Sequence, residues 1–219
     1  MTIMMPVKLK CALCGALNEC YVLTNTNSFD GMDTEFRPYA AGSEPLEGHL
    51  QTCSDCGYTH YNIENMPKNI IETTDLVKRF NCAETFQEKP LPLYKRYELV
   101  GRILILDQVM PEQIAGTFLR AAWSAEDNKK IALAKSYRKE AANILTKRLV
   151  HSKTATKITS EQLFFLAEIY RRAGDFELSK EIHKKIKTVE LHSDLQIALT
   201  KINKLLADRD SRKLMLEDV

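Results

Sequence analysis

Four of the six cysteines stand in two pairs, Cys11-Ala-Leu-Cys14-Gly15 and Cys53-Ser-Asp-Cys56-Gly57. Two thiolates three positions apart on a tight turn can face one ion, and the glycine after each pair lets the backbone bend toward sulfur. Two such turns supply four soft ligands, the complete tetrahedral shell of a structural metal site. Zinc is the expected ion, and the same ligands also suit iron in a rubredoxin-like site. A shell closed by four thiolates has no position left for a substrate or an activated water, so the pattern specifies a fold more than a reaction. A thioredoxin-like redox role is disfavoured by the presence of two CxxC turns, each followed by glycine.

The remaining chemistry-bearing residues are more dispersed. Cys20 reads as a small buried apolar residue behind the first turn, and Cys82 as a spare thiol. His49 and His60 flank the second turn and read as ordinary packing or surface histidines rather than replacement ligands. Asp30, Asp33, Glu35 and Arg37 lie on one loop, where Asp33 and Arg37 could form a polar binding site; the plainer expectation is a solvated loop pinned by an Asp–Arg pair. Lys129, Lys130, Lys135, Arg138, Lys139, Lys147 and Arg148 mark a basic helix. It could track a phosphate backbone, dock an acidic protein surface, or simply be a solvated face. No nucleophile–His–Asp set, phosphate-cradling glycine loop or metal-hydrolase spacing occurs, so nothing argues for catalysis.

These groups need elements to hold them. The 219 residues are 44% hydrophobic and 27% charged, enough apolar content for a packed core. The start, residues 1–10, has no long apolar stretch or cleavage site, and no run approaches a membrane span; a cytoplasmic location with reduced thiols is expected. The charge of +2 is unevenly spread: residues 1–67 carry three basic and eight acidic side chains, whereas residues 128–157 carry nine basic ones and Glu140 alone as acid.

Short strands are expected around the cysteine turns, from Val7, Leu9, Leu17 and Tyr21–Leu23, then from Leu50 and the second turn, with Tyr58, Tyr61 and Ile63 able to cover the metal site. The 38 residues between Cys14 and Cys53 exceed the roughly 15–20 of common zinc ribbons. The excess is a loop, 24–42, with little regular structure. Past Pro67 a first helix covers Ile70 to Phe80, and Asn81–Pro92 reads as a linker around Pro90 and Pro92. Amphipathic helices follow at about Leu93–Gln108, at Pro111–Ala125, and at Asp127–Val150 with Ile131, Ala134, Ala141, Leu145 and Leu149 inward. Ser152–Thr159 reads as a polar break, and Ser160 as an N-cap. A last helix starts at Ser193-Asp194, and the chain frays from about Asp210.

Leu163, Leu166, Ala167 and Tyr170, the Gly174-Asp175 turn, then Phe176, Ser179, His183 and Ile186 resemble a tetratricopeptide repeat (TPR). His183, Ile186 and Leu191 depart from that pattern. Ile114–Ala125 with the following helix reads as a degenerate copy, with Arg120 where a small residue is usual. As a whole, the chain resembles a bacterial family of unknown function. The resemblance rests on both cysteine turns with Gly57-Tyr58, on Ser28-Phe29, Met32-Asp33 and Arg37-Pro38, and on Ala121-Ala122-Trp123. It spans about Lys8 to Lys187 and implies metal binding by Cys11, Cys14, Cys53 and Cys56, without an activity.

The expected architecture is α+β and mostly α: a β-rich zinc-ribbon-like module (1–67), a helix and linker (68–92), and a TPR-like antiparallel helical stack (93–219). Loss of a metal ligand is expected to unfold the module and to leave much of the stack intact. Stacked helix pairs leave a concave groove suited to a peptide or helix. A protein–protein interaction or scaffolding role is therefore the first expectation. Nucleic-acid binding on the basic helix is the alternative, and an enzyme or ligand sensor on loop 28–38 comes third.

Overall fold

The computed structural model describes residues 2–41, 45–82, 91–151 and 158–216. The strand-forming residues around the first cysteine pair build an antiparallel hairpin, β1 (Ile3–Lys10) with β2 (Leu17–Asn25), in which Lys10 faces Leu17 and Met4 faces Leu23. The second pair joins β3 (Gln51–Thr52) to β4 (Thr59–His60), again antiparallel. Each CxxCG turn is thus the tip of a hairpin. A 3-10 turn, Pro45–His49, precedes β3.

The rest is helical: α1 (Ile70–Cys82), α2 (Leu93–Leu106), α3 (Pro111–Asp127), α4 (Ile131–His151), α5 (Ser160–Ala173), α6 (Phe176–His183) and α7 (Ser193–Ala207). Pro111 opens α3, where its missing N–H costs nothing. Thr159, not Ser160, caps α5: its hydroxyl accepts from the Gln162 N–H, and the Gln162 side chain accepts from the Thr159 N–H. Ser160 lies inside the first turn and donates to Glu190 at 2.9 Å. The helix after Gly174 ends at His183, so Ile186 packs on the α7 core from the following turn instead of from a helix. The linker around Pro90 and the polar break at 152–157 lie outside the described residues, as does the side chain of Leu149.

Consecutive helices from α2 to α6 pack on one another. Pairs such as Phe118–Tyr137 and Arg148–Glu112 show α3 and α4 antiparallel, and Thr146–Tyr170 joins α4 to α5. The largest apolar cluster runs through Tyr97, Phe118, Trp123, Tyr137 and Ile169 and includes Leu46 and Leu50. A second joins Cys11, Cys53, Tyr58 and Ile63 to Val77, Leu99 and Ile103. A third seats Phe164 on Leu195, Ile202 and Leu206. The apolar core therefore runs through residue 67 without a break, and α2 belongs as much to the cysteine hairpins as to the stack.

Three expectations change. The loop is not a solvated one: Asp33, Thr34, Glu35 and Arg37 are each at most 3% exposed. They form a tight turn, closed by an antiparallel bridge between Met32 and Pro38, with Phe36 held at φ 59°. The chain past Asp210 is not frayed there, because it serves as the turn's backbone partner. Thr34 N–H donates to the Leu214 carbonyl, Leu216 N–H donates to that of Met32, and Met215 bridges Asp33. Buried backbone needs such partners. On α4, Ile131 is 49% exposed, whereas Tyr137 and Arg138 occupy the inner face with Ala134 and Ala141.

Candidate metal centre and buried charge network

The two cysteine turns have the same backbone. In the first, Gly15 N–H donates to the Cys11 carbonyl and Cys11 N–H to Ala16; in the second, Gly57 donates to Cys53 and Cys53 to Tyr58. Gly15 and Gly57 take φ of 76° and 78°, the left-handed region that a side chain disfavours. Gly57 has a further constraint, since a Cβ there would lie 2.1 Å from the Asn81 amide nitrogen. That amide caps the second turn by donating to the Cys56 carbonyl at 3.2 Å. The end of α1 is thereby docked on the cluster.

All four Sγ atoms lie within 4.8 Å of one another. Cys11 and Cys56 are 3.7 Å apart, and Cys14 and Cys53 are 3.6 Å apart. A tetrahedral ion with metal–sulfur bonds of about 2.3 Å sets sulfurs about 3.8 Å apart, so the donor set fits one ion. Burial pushes the Cys53 thiol up, but N–H groups of Cys56 and Asp55 and the Asn18 amide outweigh it and bring it to about 7. Burial keeps Cys11 and Cys56 raised. Asn18 anchors the arrangement: its amide donates to Cys53 Sγ at 3.5 Å while its carbonyl accepts from the Ser54 N–H at 2.8 Å.

The second centre surrounds Glu35. Its carboxylate accepts two bonds from Arg138, at 2.8 and 2.7 Å, and one from the Trp123 indole at 3.2 Å. Arg172 lies 3.5 Å away. Glu126 completes a neutral quartet, accepting from Arg138 at 2.7 Å and from Arg172 at 2.6 and 2.9 Å. Burial alone would push the Glu35 carboxyl up; Arg138 and then Arg172 outweigh it and hold it at about 2. Beside this quartet, Thr34 donates to Glu168 at 2.6 Å. Glu168 also holds Arg171, whose guanidinium donates to the carbonyls of Asp210 and Arg212. The network thus fastens the loop and the C-terminal segment to α3, α4 and α5.

A family model described as an uncharacterized protein conserved in bacteria matches residues 5–209, nearly the whole chain. The chain belongs to that family, DUF2225. No curated protein and no solved structure matches it. The match spans both cysteine hairpins and the helices α1 to α7. Among the described residues, no helix is long and apolar enough to cross a membrane.

The other sequence candidates sort as follows. Cys20 is buried with Cys11 and Cys53, and Cys82 is exposed at the end of α1. His60 is buried, with Nδ1 3.0 Å from the Asn62 carbonyl, and burial holds its imidazole below its ordinary value. Neither His60 nor His49 is in the four-thiol group. Asp33 and Arg37 are brought together, but through the backbone: Asp33 accepts the N–H groups of Arg37 and Glu35 and the Tyr39 hydroxyl. Burial, then the Glu35 charge, pushes the Asp33 carboxyl up. The Arg37 guanidinium instead pairs with Asp127 at 2.9 and 2.7 Å, between Tyr39 and Trp123.

The basic stripe on α4 does not hold as one surface. Arg138 is 1% exposed and committed to Glu35 and Glu126, so it cannot meet a partner. Arg148 pairs with Glu112, Lys135 is half-buried beside Gly174, and of the seven only Lys129, Lys130, Lys139 and Lys147 stand exposed. Glu126, Asp127, Glu168, Arg171 and Arg172 escaped the sequence reading. The missed signal was spacing: Arg138 lies four after Ala134 and three before Ala141, hence inside the apolar stripe.

Proposed function

We propose that this is a non-catalytic, zinc-stabilised interaction protein of the bacterial cytoplasm, whose TPR-like helix pairs receive a segment of a partner protein. Zinc is favoured by four thiolates at tetrahedral spacing, with iron the minor alternative. A shell filled by protein thiolates offers no open coordination position, which supports a structural role for the ion. The observation that carries the interaction reading is the use of the helical groove by the chain itself. Since α3 and α4, and α4 and α5, are antiparallel, α3 and α5 run in the same direction. At their C-terminal ends the turn Asp33–Arg37 is seated between them through Trp123, Asp127, Glu168 and Arg172. A groove that already accepts a polypeptide turn has the shape and donors to accept another.

The nucleic-acid alternative has less support, because Arg138 and Arg148 are engaged with carboxylates. A sensor site on loop 28–38 is likewise disfavoured, as its polar groups satisfy one another. Two measurements test the proposal. Native mass spectrometry is expected to find one zinc per chain. Peptide display against the metal-loaded protein is expected to enrich a motif whose binding is lost in Gly116→Leu, a change that fills the unoccupied part of the groove. Enrichment indifferent to that variant, or none, counts against the interaction reading.

A further inference from the structure

We infer that the open half of the α3–α5 groove takes an acidic peptide segment of a partner protein, with Arg120 receiving its carboxylate; this rests on the interaction reading above. On α3, Gly116, Arg120, Trp123 and Asp127 are spaced four, three and four apart and share one stripe. The chain's own turn uses the C-terminal half of that stripe, through Trp123 and Asp127. Gly116 and Arg120 instead line a cavity of about 520 Å³ whose opposite wall is Gln162 and Phe165 of α5. The same division holds on α5, where Glu168 and Arg172 are taken by Thr34 and Glu35. The inserted turn ends against the cavity, since the Phe36 ring lies 5.5 Å from that of Phe165.

Arg120 is the uncompensated charge of this surface. It is half-buried, yet it makes no hydrogen bond or ion pair among the described residues. Arg138 on α4 and Arg171 and Arg172 on α5 each hold a carboxylate. Glu112, the acid at the cavity rim, is already paired with Arg148 at 3.2 Å. Arg120 also borders a second cavity of about 660 Å³, toward His60 and Met66. The cavity floor is apolar, with Leu119, Leu145 and Leu166.

The filled half indicates the chemistry of the occupant. There a carboxylate (Glu35) sits on guanidinium groups, and the next side chain (Phe36) packs between Phe164 and Phe165. One free guanidinium above an apolar floor suits the same pairing, a carboxylate followed by a large apolar side chain. Nucleic acid would need a row of basic groups instead of one.

The test uses zinc-loaded full-length protein and fluorescence anisotropy with three capped peptides that differ only in a central Glu-Phe, Gln-Phe or Lys-Phe, plus a single-stranded oligothymidylate. The Glu-Phe peptide is expected to bind about tenfold or more tighter than the Gln-Phe peptide, the usual scale for a charge-assisted bond. That advantage should vanish in Arg120→Gln, a half-exposed position whose unchanged melting temperature serves as the control. Gly116→Leu should abolish binding of every peptide. Equal binding of the Glu-Phe and Gln-Phe peptides, both lost in Gly116→Leu, overturns the acidic assignment while leaving the interaction reading intact. Groove-dependent binding by none of them, together with a failed display selection, overturns both. Oligothymidylate binding lost in Arg120→Gln overturns the acidic-peptide assignment in favour of nucleic acid.

Discussion

The four-thiol cluster and the Glu35 network both tie the first sixty residues to the helices, and they do so with opposite chemistry. The thiols are presented by two hairpin tips of identical backbone, each able to form its half of the site locally before the halves meet. With an ion bound, their cohesion answers to chelators, protons and oxidants. The network has no local half. Glu35, Glu126, Arg138 and Arg172 come from a loop and three helices, and their charges cancel within the molecule itself. Burying four charges costs desolvation that their attraction offsets only with good geometry. We therefore expect the network to select the seating of the loop more than to add surplus stability. One centre is strong and conditional on the environment; the other is conditional on the whole fold.

Metal removal should have the largest effect. Structural zinc contributes about 10–16 kcal/mol in small modules, so chelation or Cys11→Ser should melt β1–β4. Because Cys11 and Cys53 share a core with Leu99 and Ile103, α2 should lose hydrogen-exchange protection with them, while α5–α7 keep theirs. Unchanged protection in α2 would separate the two parts of the molecule.

Next in size is Glu35→Gln. Removing one partner of a buried ion pair typically costs about 3–5 kcal/mol, readable as a shift of the urea midpoint. Glu126→Gln should cost less, because its carboxylate is 30% exposed. Equal losses would mean that burial is not what distinguishes them.

Acid sharpens the comparison further. The folded Glu35 carboxyl, at about 2, lies below its ordinary value of 4.5. Its contribution is therefore fully present above pH 4.5 and is lost as pH falls through about 2. Unfolding free energies measured between these limits should fall more steeply in the wild type than in Glu35→Gln. Parallel slopes would refute a role for Glu35 in acid sensitivity.

The smallest expected effect separates the two cysteine turns. Gly15→Ala should cost about 1 kcal/mol for its left-handed backbone. Gly57→Ala should cost more, because its Cβ also displaces Asn81 from the turn. Chelator competition on both variants gives the order, and equal zinc affinities would show that the α1 dock is dispensable.

Much of this protein could be read residue by residue. The cysteine spacing identified the four thiols that the fold gathers into one cluster, Pro111 and the apolar periodicity placed α3, and the order of the helices followed from 3.6-residue patterns. These are short-range properties: a turn, a cap and an amphipathic face are decided by neighbours within a few positions. The Glu35 loop was legible only as polar residues, and polarity is ordinarily a sign of solvent. What reversed its sign was the presence of two guanidiniums that arrive from α4 and α5, more than a hundred residues later. Likewise, the C-terminal segment resembles a frayed end until Met32 and Thr34 provide its backbone partners.

By itself, then, the sequence determined the four clustered cysteines and the helical succession, since each is encoded in local spacing. Only the tertiary structure decided that Arg138 is an internal counter-ion instead of a surface charge. It alone also showed that the groove is half filled by its own chain and that Arg120 has no partner among the described residues. Burial and pairing of charge depend on which distant segments meet, and that is a property of the packed whole.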